Sequence, residues 1–247
     1  GLYYGGTGLG IVASAALVPW LAAAGWPAAW LGLGSVALVL ALLMAWRTPS
    51  LDGPPPTPGQ ATKAFRAQDF AFGLAGYFMF GLGYIGYMTF IVSLLRAQQV
   101  PPPQIVAFYV LLGLAVVASS WLWAGLLQRF RGGGPLALLN TLLALATLLP
   151  VLSASVPAAF ASGALFGCVF LSVVASTTAL VRHNLDAAAW PAGIAAFTIV
   201  FAFGQIVGPT LVGWVADGPG GLRAGFACSA AALALGALLA WRQRPLA

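Results

Sequence analysis

The chain contains no glutamate, one histidine and two cysteines, and only 6% of its 247 residues are charged. A soluble domain carries about 25% charged residues. So little charge cannot cover a water-facing surface, which excludes a soluble globular domain. Four aspartates and the lone His183 leave no plausible donor set for a metal, and no metal or other cofactor is expected. Cys168 and Cys228 lie inside apolar runs, far from any CxxC spacing. They read as small embedded hydrophobes, with no disulfide framework. Strand-like alternation is missing as well, so a transmembrane β-barrel is not expected. The net charge of +6 comes from basic residues placed singly or in pairs at the edges of apolar runs. That is the distribution of a topology signal and not of a nucleic-acid stripe, so nucleic acid is not an expected partner.

What the chain does have is apolar length. It is 61% hydrophobic, in long runs separated by short breaks rich in Pro, Gly and Arg. A helix needs about 20 such residues to cross the hydrocarbon core. The fold class is therefore all-α, a multi-pass transmembrane helix bundle whose main environment is the lipid bilayer. Spans are predicted at Tyr3–Ala24, Ala28–Trp46, Phe70–Leu95, Gln104–Leu127, Pro135–Leu152, Ala158–Val181, Pro191–Ala216 and Leu222–Trp241. The single long break, Arg47–Asp69, holds Pro49, Pro54, Pro55, Pro56 and Pro58 and reads as a linker between two halves.

With this layout Arg47, Lys63, Arg66, Arg129, Arg131, Arg182, Arg242 and Arg244 fall on one side, and only Arg96 and Arg223 on the other. The positive-inside rule then makes both ends and the linker cytoplasmic, in a bacterial-type inner membrane. Most tryptophans fall near span ends, as interfacial anchors do. The start at Gly1 within an apolar run, with no basic n-region, reads as a truncation and not as a signal peptide.

Spans paired on either side of a linker resemble the major facilitator superfamily, whose halves of six helices are joined by a cytoplasmic loop. Local sequence carries the same resemblance. Gly125-Leu-Leu-Gln-Arg-Phe-Arg-Gly132 is similar to the superfamily's loop motif, except that Arg129 stands where an aspartate is usual. Gly204-Gln-Ile-Val-Gly208-Pro209, with Gly213 and Asp217, is similar to the Gly/Pro-rich eleventh helix. Tyr77 to Phe90 resembles the seventh helix of the YbfB/YjiJ-like branch. The resemblance implies a partial major facilitator fold of helices five to twelve. Residues 1–46 would end the N-terminal half, 47–69 would be the linker and 70–247 the six-helix C-terminal half. The missing N-terminal helices of the same protein would then be a partner, and the cargo a small solute.

No carboxylate falls near a predicted midplane: Asp52, Asp69, Asp186 and Asp217 are at edges or in loops. A proton-coupling group would therefore belong to the missing helices. Gln205 is mid-span, where an unsatisfied amide costs roughly 2–7 kcal/mol. It is either interhelical glue or cavity lining. Tyr77, Tyr84 and Tyr87 fall on roughly one helical face, as aromatic packing or as a binding wall. The resemblance places the seventh and eleventh helices at the central cavity. Tyr77, Tyr84, Tyr87, Thr178 and Gln205 are thus the expected solute-binding residues. Gly125, Arg129, Arg131 and Gly132 would latch the loop, and Gly204, Gly208 and Pro209 would flex. Their apolar and aromatic character points to a hydrophobic or weakly polar solute. Asn140, on the peripheral ninth helix by analogy, reads as structural glue.

Gly6/Gly10, Gly163/Gly167 and Gly204/Gly208 are candidate packing pairs of the Gly-xxx-Gly type. Gly81-Leu-Gly83-Tyr-Ile-Gly86 matches a dinucleotide fingerprint but lacks the strand context that motif needs, so no nucleotide is expected. The leading expectation is a secondary transporter working by alternating access. The alternative is a non-transporting membrane scaffold or assembly subunit. An intramembrane enzyme lacks any visible catalytic set.

Overall fold

The computed structural model describes residues 2–48 and 64–246. Most of the predicted linker, with Asp52 and Lys63, lies outside the described residues. The helices are α1 (Leu2–Ala22), α2 (Trp26–Arg47), α3 (Ala71–Ala97), α4 (Pro102–Leu122), α5 (Ala124–Arg129), α6 (Gly134–Leu152), α7 (Val156–Asn184), α8 (Trp190–Ala216) and α9 (Gly221–Trp241). Eight helical segments are long and apolar enough to cross a membrane, and no strand occurs among the described residues. The expected all-α multi-pass bundle is the observed one.

Proline sets several boundaries. Pro27, Pro102, Pro135, Pro157 and Pro191 sit in the first turns of α2, α4, α6, α7 and α8. A first-turn N–H has no intrahelical acceptor, so proline loses nothing there and its fixed φ favours the helix. Ser155 caps α7 by accepting from the Ala158 N–H at 3.4 Å.

One predicted span needs correction. The expected single helix over Gln104–Leu127 breaks at Trp123, between α4 and α5. At the break the Trp123 indole Nε1 donates to the Cys168 carbonyl of α7 at 2.7 Å.

The helices pack in an order that places α3 at the centre. It lies between α8 and α9; α9 continues to α6, α6 to α7, and α7 to α4. α1 packs on α4, and α2 packs mainly on α1 and buries no residue. Hydrogen bonds define two ends. At one, Asn184 Nδ2 donates to the Arg131 carbonyl at 2.8 Å and Gln243 Nε2 to the Asp69 carbonyl at 2.9 Å. At the other, Gln98 Nε2 donates to the Pro150 carbonyl at 3.3 Å, and Arg223 Nε to the Val151 carbonyl at 3.2 Å. The first end carries Arg66, Arg129, Arg131, Arg182, Arg242 and Arg244; the second carries Arg96 and Arg223.

In lipid, apolar burial gives helices little reason to associate, so small residues decide which faces meet. Around α3 they do so at nearly every turn. A Cβ on Gly76 would stand 2.8 Å from the Gly236 carbonyl oxygen of α9, and one on Gly83 2.6 Å from that of Ser229. The glycines of the rejected dinucleotide motif are therefore helix seams. Most tryptophans point outward instead: Trp20, Trp26, Trp30, Trp46, Trp121, Trp214 and Trp241 are exposed near helix ends. Trp123 and Trp190 turn inward to protein carbonyls.

Candidate functional site

The central feature is the seam of α3 and α8. Their backbones touch through Gly204, whose Cβ would lie 2.6 Å from the Phe78 carbonyl oxygen, and Gly208, 2.6 Å from that of Leu82. This closeness lets an aromatic stack form across the seam. Phe201 of α8 stacks on Tyr77, Phe80 and Tyr84 with ring centroids 5.0, 5.4 and 5.5 Å away. Gln205, one turn beyond Phe201, donates from Nε2 to the Tyr84 hydroxyl at 2.5 Å. Gln205 is half-buried, and its amide oxygen has no hydrogen-bond partner among the described residues.

Tyr77, Tyr84 and Gln205 are thus brought together, and Tyr87 is not part of the group. Tyr87 is fully buried, stacked on Phe166 of α7 at 4.0 Å. Its hydroxyl lies 2.7 Å from Ser162 Oγ, which itself donates to the Ala146 carbonyl of α6. Since the serine proton goes to Ala146, the phenol donates to the serine. Tyr87 ties α3 to α7 and α6. Tyr77, Tyr84 and Tyr87 leave the same side of α3, but a 60° offset is enough to separate them.

Thr178 stands apart on α7, some 12 Å along the helix from Phe170, which stacks on Tyr84. Its hydroxyl makes only a long bond to the Val174 carbonyl, 3.5 Å. Thr178 lines a cleft of about 550 Å³ between α4 and α7 at the basic end, together with Ser119, Ser120, Trp123, Arg182, His183 and Trp190.

The loop motif divides similarly. Gly125 has open space around it. Arg129 is exposed, with its guanidinium 6.0 Å from the Phe130 ring. Arg131 contributes its carbonyl to Asn184. Gly132 approaches the Gln243 carbonyl oxygen, 3.1 Å from where a Cβ would stand. The tightest place is the next residue, Gly133, where a Cβ would sit 2.0 Å from the Ala240 carbonyl oxygen. Pro209 lies inside α8, directly after Gly208.

Three features escaped the sequence. Gly133 is hidden within a run of glycines that look interchangeable. Phe201 was recoverable, since it precedes Gln205 by four positions on one helix face. Gln243 and Asn184 look like solvated residues at span edges, but both are buried and bind the chain's tail.

A family model described as "Uncharacterised MFS-type transporter YbfB" matches residues 1–241. The chain belongs to this YbfB-like family of major facilitator transporters. No curated protein matches the chain. Its helices fit a partial major facilitator fold, and the residues that resembled the seventh and eleventh helices form α3 and α8.

Within this YbfB-like bundle α1 and α4 cross at glycine. A Cβ on Gly8 would lie 2.7 Å from the Gly113 carbonyl oxygen, and one on Gly113 2.9 Å from that of Gly8. The expected pair Gly6/Gly10 is corrected: both positions face open space. Gly8 lies on the opposite side of the helix from them, 200° away, and that is the side α4 occupies. Gly163 and Gly167 do pack as a pair, against Phe108 and the Leu112 carbonyl of α4.

Proposed function

We propose that this YbfB-like chain is a secondary active transporter that moves a small solute by alternating access. The observation that supports it most directly is the Gly8–Gly113 crossing. α1 and α2 rest on the rest of the bundle mainly through this one seam. At its centre the seam is backbone on backbone, flanked by Val12 and Val117, and such a glycine crossing can tilt at little cost. Residues 1–46 and 70–247 are then parts of two bodies that rock about it, joined by the linker.

The solute contacts in this reading are Gln205, Tyr84 and Tyr77 at the α3–α8 seam and Thr178 in the cleft. Tyr87 braces the wall from behind. Gly204, Gly208 and Pro209 give α8 the freedom to bend, since small residues and an interrupted hydrogen-bond ladder mark the flexing spans of transporters. The loop Gly125–Gly132 latches the basic end through Arg129 and Arg131. The positive-inside rule makes that end cytoplasmic and the membrane the inner one.

Spin labels at Ser35 on α2 and Leu138 on α6, both exposed, test the rocking in lipid nanodiscs. Cys168 and Cys228 would first be replaced by alanine. Two distance populations whose ratio moves with pH, ion gradient or solute are expected. A single distance under every condition would sink the alternating-access reading.

A further inference from the structure

The cleft at the basic end of α4 and α7 has a chemistry that the α3–α8 seam lacks. Arg182 lines it, and no aspartate or glutamate does. The Arg182 guanidinium lies at the exposed rim, 4.6 Å from the Trp190 ring centroid. Two further wall residues hold buried polar atoms without a partner, Ser120 Oγ and His183 Nδ1. Leaving such an atom unsatisfied costs about 1–3 kcal/mol. The rest of the lining mixes apolar side chains such as Leu127 and Leu171 with Ser119, Gln128, Ser172 and Thr178, and the Trp123 indole is held in place by its bond to Cys168.

We infer that this cleft is a binding site for an oxyanion, a carboxylate or phosphate group carried on an apolar body. A guanidinium offers parallel N–H donors that match such a group, adding geometric fit to charge. His183 stands next to Arg182 on the same wall, and Trp123 and Trp190 flank the apolar body. A cationic amine would find no counter-charge here. The inference rests on the transport reading only for the ligand's fate, because binding itself does not require transport.

Two sources share this chemistry, a soluble organic anion and an anionic lipid headgroup. The structure favours the soluble anion, since the cleft is walled by helices and runs along α7 from His183 back to Leu171, more than three turns. The test uses benzoate, with benzamide as its neutral isostere, and the protein as its gene encodes it in phosphatidylcholine nanodiscs. Benzoate is expected to bind saturably and benzamide not to bind. Arg182→Gln should weaken benzoate about tenfold or more, and Arg182→Lys less, because lysine keeps the charge but not the fork. Arg242→Gln, at the same end but outside the cleft, should leave it unchanged.

Repeating the titration in phosphatidylglycerol nanodiscs separates the sources. Binding that persists there and still depends on Arg182 supports the soluble anion. Benzoate binding abolished by phosphatidylglycerol would overturn that assignment in favour of lipid. Equal affinity for benzamide, or for Arg182→Gln, would overturn the oxyanion site itself. Benzoate that binds through Arg182 but is never carried into vesicles would leave the site standing and count against transport.

Discussion

Gln205 of α8 donates a hydrogen bond to the Tyr84 hydroxyl of α3 across a seam where the two backbones touch at Gly204 and Gly208. The bond joins the only amide of α8 to the aromatic stack at the bundle's centre. Interhelical bonds in membranes average about 0.6 kcal/mol and reach about 1.7. Gln205→Leu should therefore cost little folded protein. Transport in proteoliposomes should fall far more than insertion does, and Tyr84→Phe should add little to it. Unchanged uptake kinetics would place Gln205 among the packing residues.

Gly113→Val should separate α1 from α4. Its side chain has no room beside the Gly8 carbonyl oxygen and Val12. Overpacking of this kind costs about 1–3 kcal/mol. The spin-label distance between α2 and α6 should lengthen or broaden. Gly6→Ala, on the open side of α1, should change neither distance nor stability. A normal distance in Gly113→Val would mean that the seam is not what holds α1.

Gly133→Ala should lower the thermal midpoint by several degrees, as a Cβ there collides with the Ala240 carbonyl oxygen. The loop would lift and the bond from the Gly133 N–H to the Gln243 carbonyl, 2.9 Å, would break. Gly125→Ala, in open space, should be neutral. Melting curves of the two variants in one detergent decide the matter, and identical curves would contradict the geometry.

Gln243 caps α3 from the far end of the chain. Its Oε1 accepts the Gly73 N–H at 2.9 Å, one of the first-turn donors that no intrahelical carbonyl can satisfy. Gln243→Ala should cost about 0.5–2 kcal/mol, the range for loss of a helix cap. Hydrogen exchange at Gly73 should accelerate while the middle of α3 stays protected. Protection at Gly73 equal to the parent would show that the cap is dispensable.

The spans were legible in the sequence because crossing a bilayer takes a fixed length of apolar chain. Which face of each span turns inward was far less so. In water, the polar face of a helix marks the outside; in these helices both faces are apolar, and the Gly-xxx-Gly spacing drew attention to Gly6 and Gly10 when Gly8 makes the contact. The Tyr77–Tyr84–Gln205 group could be anticipated, since two of its members share a helix face and the third is a mid-span amide. The separate environment of Tyr87 could not, because it depends on Ser162 and Phe166 of another helix. The break at Trp123 escaped too, since no proline or charge marks it in the run from Gln104 to Leu127. Gln243 and Asn184 sit where polar residues are ordinary, so nothing local marks them as buried.

The central place of α3 has a consequence for how the protein is made. Its grooves at Gly76 and Gly83 are filled by α9, and those at Gly81 and Phe78 by α8, helices that leave the ribosome well after it. At 5–20 residues per second the roughly 140 residues from the end of α3 to the end of α9 take about 7–28 s to synthesise. Throughout that interval α3 stands in the bilayer with its flanks bare and its first turn uncapped. Anything that shields nascent helices has its longest work at this one, and a chain interrupted before α8 leaves its most interior helix as the most exposed.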